Sequence, residues 1–112
     1  MDSKSLNIAI KHMLHQANWR IHDDYEYVIV GDGITIFEDR LAALISSTIR
    51  TDELFYSSDR HSGGLISINE AAAKITEAFA NGAQDVVLAD TTLHHLIQVQ
   101  SQGVARSGSV GG

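Results

Sequence analysis

Residues 25–37, YEYVIVGDGITIF, constrain the fold more than any other stretch, because two aromatic and β-branched runs meet across Gly31-Asp32-Gly33. Such residues favour extended backbone, where branched side chains pack well on a pleated surface. A short glycine-containing connection is enough to reverse the chain, so the spacing predicts a β-hairpin over about 25–37. A phosphate-cradling loop would need a third glycine opening a helix, or a Gly-Lys-Ser/Thr sequence. Here Ile34, Thr35 and Ile36 follow Gly33 instead, and Asp32 is expected to be a turn residue. Along the first strand Tyr25, Tyr27 and Ile29 alternate with Glu26, Val28 and Val30. Both faces are therefore substantially apolar and need cover, from the chain's own helices or from a partner chain.

Helical periodicity surrounds this hairpin. Leu6, Ile10, Met13, Leu14 and Ala17 predict an N-terminal helix from about Ser5, with Ser3 or Ser5 as its cap and Asn18 at its end. Leu41, Leu44, Ile45, Thr48 and Ile49 share a face over about 39–50. Glu38 and Asp39 precede that helix and Arg50 ends it, charges that suit the helix dipole. LFY (54–56) predicts a short strand, and SSDRHSGG (57–64) a polar loop.

The second half reads as a βαβ-like unit over about 65–102. LISI (65–68) is one strand, and Ser67 and Glu70 stand in capping-box spacing before AAAKITEAFA, which closes at Asn81-Gly82. DVVLA (85–89) is the second strand, parallel to the first through a right-handed crossover. Asp90-Thr91-Thr92 then start a last helix with Leu93, Leu96 and Ile97 on one face; the rival reading is a single helix over 84–102. VARSGSVGG is small and glycine-rich and is expected to be flexible. The fold class is thus α+β, one domain over residues 1–104 with a small mixed sheet covered by helices, and a Gly/Ser tail over 105–112.

Composition excludes several function classes. Among 112 residues there is no cysteine, which removes disulfides, thiolate catalysis and cysteine-ligated zinc. Fourteen acidic residues against eight Lys and Arg give a formal net charge of −6. The basic residues are scattered, so no stripe offers to displace counterions from a nucleic acid. No apolar run approaches the roughly 20 residues of a membrane span, and the polar, acidic start lacks the pattern of a secretory signal. A cytoplasmic protein is expected.

Several groups of residues could carry chemistry. His12 and His15 lie three apart on a helix, with His22, Asp23 and Asp24 following, but the spacing forces no convergence, and neither a metal nor a cofactor is expected. Asp90 stands at a strand end before His94 and His95, where a carboxylate and an imidazole suit acid–base work; the structural alternative is a plain helix cap. Asp59, Arg60 and His61 occupy the polar 57–64 segment and suit a contact surface better than a catalytic triad, whose members converge from separate elements. The expected function is that of a small, acidic, non-enzymatic interaction module (adaptor, chaperone-like or inhibitor), homodimeric, that binds another protein through Tyr25, Tyr27, Asp59, Arg60, His61 and Asp90. Two alternatives stand beside it. One is an acidic inhibitor or DNA mimic using Asp23, Asp24, Glu26, Glu38 and Asp39. The other is a small hydrolase or ligand-binding enzyme using Asp90 with the 57–64 segment.

Overall fold

A computed structural model describes residues 2–111. Helix α1 (Ser3–Gln16) is followed by two short strands, β1 (Asn18–Trp19) and β2 (Val28–Ile29), and by α2 (Glu38–Thr48). Strands β3 (Glu53–Asp59) and β4 (Ser62–Ser67) lead through one 3₁₀ turn into α3 (Ala71–Ala80). Strands β5 (Asp85–Asp90), β6 (His95–Gln100) and β7 (Val104–Ser109) complete the described chain. All seven strands form one sheet in the order β1-β7-β6-β5-β3-β4, with β2 also on β7, and every hydrogen-bonded pair is antiparallel. The fold is α+β, with helices packed on a sheet.

The sheet is covered on both faces. Leu41, Leu44 and Ile45 of α2 and Ala71 and Ile75 of α3 pack with Leu54, Val86, Leu88, Ile97 and Val99 on one face. Leu6, Ile10 and Met13 of α1 pack with Val87, Ala89 and Leu96 on the other. Each of these side chains is at least nine-tenths buried, and full burial of a large aliphatic side chain stabilises by about 1.5–3 kcal/mol. Asp2, rather than Ser3 or Ser5, caps α1, its side chain accepting from the Ser5 amide.

Two-sided cover explains where the expected second half fails. The helix expected after Asp90 is strand β6. A central strand buried on both faces shows a continuous apolar run instead of alternation, and over four residues that run also fits a helical face. Leu96, Ile97, Gln98 and Val99 are all buried. The 65–89 unit is nevertheless a strand–helix–strand crossover. β3 is antiparallel to both β4 and β5, so β4 and β5 run in the same direction with β3 between them. The sheet is consequently antiparallel at every pairing, not mixed.

Three further expectations are corrected. Residues 104–109, expected to be flexible, form β7 inside the sheet between β6 and the β1/β2 margin. Their small residues permit close approach: a Cβ on Gly108 would stand 2.8 Å from the Asn18 carbonyl oxygen. The 57–64 segment is the tip of the β3–β4 hairpin with a bulge, not a long loop. Of the 25–37 hairpin, only β2 and a single Gly31–Ile36 bridge form. Asp32 holds that turn by accepting from the amides of Ile34 and Thr35.

Candidate functional site

Residues 18–29 run along the outer side of β7 as one interrupted edge. Asn18 pairs with Ser109 and Ile29 with Val104, so eleven steps on this side pass only five on β7. Six residues are spare, and they loop outward. At the crown of this excursion His22 and Tyr25 exchange backbone hydrogen bonds around Asp23 and Asp24, both with positive φ (49° and 72°). That is the geometry of a type I′ hairpin turn. Asp23-Asp24 replaces the Asn-Gly that such turns favour.

Arg106 of β7 fastens the excursion to the sheet. Its guanidinium lies 3.8 Å from the Trp19 ring centre and 5.1 Å from that of Tyr27, and its Nη1 stands 3.3 Å from Glu26 Oε1. Its Nε donates to Gln98 Oε1 at 2.8 Å. The residues on either side of the loop are thereby held by one cation. Ile21, Tyr25, Ile29 and Ile34 remain 61%, 70%, 64% and 95% exposed, well above what large apolar side chains usually show. From residue 21 to residue 39 there are six acidic residues and no Lys or Arg. The other eight acidic residues are balanced by the eight Lys and Arg, so the entire formal net charge belongs to this segment.

Asp90 is placed differently. It ends β5, 5% exposed, and closes the β5–β6 turn: its Oδ1 accepts from the amides of His94 and His95, and its Oδ2 lies 2.9 Å from His95 Nδ1. Burial alone raises the carboxyl's pKa, but the His95 imidazole and the two amides outweigh it and hold Asp90 below the ordinary aspartate value. The expected cap and the expected carboxylate–imidazole pair are therefore the same residue, in a turn between strands instead of at a helix start. Leu93 accommodates the turn with a φ of 58°.

The fold keeps the other expected site residues apart. Asp59 accepts from the His61 amide at the β3–β4 turn, and Ser3 donates to the Arg60 carbonyl. Asp90 pairs with Leu54, at the opposite end of β3 from Asp59, and five residues of strand span about 16 Å. Asp90 and the 57–64 segment do not form one site. Tyr25 and Tyr27 lie beside β7, with β6 and β5 between it and β3. Among the described residues, no group of three or more His, Asp or Glu is arranged to hold a metal ion, so His12, His15 and His22 do not converge. The Arg106–Trp19–Glu26 contact escapes a reading of the sequence. One signal pointed to it: Arg106 is the only Lys or Arg after Lys74.

The chain matches no known protein family, no curated protein and no solved structure. No helix among the described residues is long and apolar enough to cross a membrane.

Proposed function

We propose that this protein is a non-enzymatic interaction module that binds a basic protein surface through the 21–34 margin. The observation that carries the reading is the coincidence, over residues 21–34, of four exposed large apolar side chains with four carboxylates and no Lys or Arg. Apolar groups supply contact area at an interface, and surrounding charge of one sign steers and selects a complementary partner. Asp23, Asp24, Glu26 and Asp32 lie among Ile21, Tyr25, Ile29 and Ile34, and Glu38 and Asp39 follow at the start of α2. An inhibitor seated on a basic groove is the form these charges suit best. A second copy of the chain suits them poorly, since matched margins would bring four carboxylates against four.

The test is affinity capture from the native host with the wild-type chain, with Tyr25→Ala/Ile29→Ser, and with Arg60→Ala/His61→Ala as the control at the far hairpin tip. All three are expected to fold alike by circular dichroism. The margin variant should lose a partner of basic composition that the control retains, and the wild-type complex should weaken with added salt. Equal capture by both variants, or a salt-insensitive complex, would overturn the reading. Light scattering should give a monomer; a dimer disrupted by the margin substitutions would replace the basic partner with a second copy.

A further inference from the structure

A cavity of about 310 Å³ opens where the end of α2 meets the start of β6 and the outer part of β7. Arg20 and Arg50 line it together with His95 and Ser109, and no carboxylate is among its lining residues. Both arginines are exposed, and among the described residues neither has a carboxylate within 4.0 Å. The carboxyl end of α2 forms one wall, and its roughly half-unit negative charge acts against an anion. The two guanidinium groups outweigh it even when the Asp90 carboxylate behind His95 is counted against them. The local field therefore favours a negatively charged guest.

The second observation concerns two hydroxyls. Ser107 is 1% exposed and lines this cavity, and its Oγ has no hydrogen-bond partner among the described residues. Thr48 Oγ1, on the facing helix, is likewise buried and unpartnered. A buried hydroxyl left unpaired costs about 1–3 kcal/mol, so each of these residues, both of which line the cavity, gains if a side-chain rotation brings its hydroxyl from behind the wall to an acceptor in the cavity. Asp90, the carboxylate that holds the His95 ring, is already engaged by that ring and by two amides.

We infer that this cavity binds a small molecule through a phosphate group. A tetrahedral oxyanion presents enough acceptor oxygens for both guanidinium forks and for the two hydroxyls once they rotate toward it, which a planar carboxylate does not. The volume lies at the low end for small-ligand pockets and exceeds what a lone phosphate fills, so the guest is an organic phosphate monoester of modest size. Asp90 takes part only by positioning: it fixes the His95 ring at the cavity's edge through Nδ1.

The experiment is an amide chemical-shift titration of the full chain with phenyl phosphate, inorganic phosphate, benzoate and phenol. Phenyl phosphate should give saturable shifts centred on Thr48, Arg50, His95 and Ser107. Arg20→Gln and Arg50→Gln, both at exposed positions, should each weaken that binding about tenfold, the loss of one charge-assisted contact. Ser107→Ala should weaken it while leaving the fold at least as stable, because it deletes an unpaired buried group. Inorganic phosphate should shift the same amides less tightly; equal affinity would keep the site and assign it to the free ion. Absence of saturation, equal response to benzoate or phenol, or indifference to both arginine substitutions would overturn the inference.

Discussion

Ser57 and Asn7 show how much one side chain decides. Ser57, 3% exposed, accepts a 3.0 Å hydrogen bond from the Asn7 side-chain amide, joining β3 to the inner face of α1. Ser57→Ala leaves that amide buried without an acceptor and should destabilise by about 1–3 kcal/mol, read as a lower urea midpoint with an unchanged slope. Asp90 makes a pH-dependent contribution. Its folded pKa is depressed, so the unfolded state binds more protons; its stabilisation is present above the ordinary aspartate value and is lost as pH falls through the folded value. Asp90→Asn should cost about 1–2 kcal/mol at neutral pH and flatten the acid limb of a stability–pH curve. The role of Asp32 was legible in the sequence because it bonds to amides only two and three residues away; the Asp90 bonds are nearly as local, but the sequence set them at a helix start and not in a turn between strands. The Asn7–Ser57 bond joins residues fifty apart, and no local pattern announces it.

Among the elements, α2 and α3 were legible almost to the residue, because each is covered on one face only and keeps a clean apolar stripe, with Glu38 and Asp39 marking the start of α2 and Asn81-Gly82 the end of α3. The strands were harder to read. β5 and β6 are buried on both sides, and β1 and β2 are two residues each, too short for any period to register. The crown of the margin tests this scale. Asp24 sits at a φ of 72° that glycine adopts without strain, so Asp24→Gly should raise stability by about 0.5–1 kcal/mol, seen as a higher thermal midpoint. It also removes one carboxylate from the proposed contact surface, so partner binding should fall as stability rises. Asp23 suits the first central position of such a turn, as in Asp-Gly, so the gain in stability is expected at the second position alone.

At the scale of the whole molecule, the two turns at residues 31 and 103 are pressed together. Val30 donates to the Gly103 carbonyl at 2.8 Å, and a Cβ on Gly103, whose φ is 100°, would stand 2.5 Å from the Gly31 carbonyl carbon. Gly103→Ala should destabilise by about 2–4 kcal/mol and loosen the margin before the core, which hydrogen exchange at Val28–Val30 would detect. Removing residues 104–112 deletes a strand inside the sheet and should leave no cooperative thermal transition. The tail's composition concealed this role, since small residues read as a flexible end, whereas at Gly108 the absence of a side chain lets the Asn18 backbone pass close.

Strand β7 also imposes a timetable on synthesis. Asn18 waits ninety-one residues for Ser109, so β1, β2 and the loop between them have no scaffold while the ribosome is still translating the second half. A nascent chain can build the β3–β4–α3 segment early, yet it presents no acidic crown until its closing strand threads between the two. A partner of the proposed kind would meet a docked margin only after residues 104–109 have been translated.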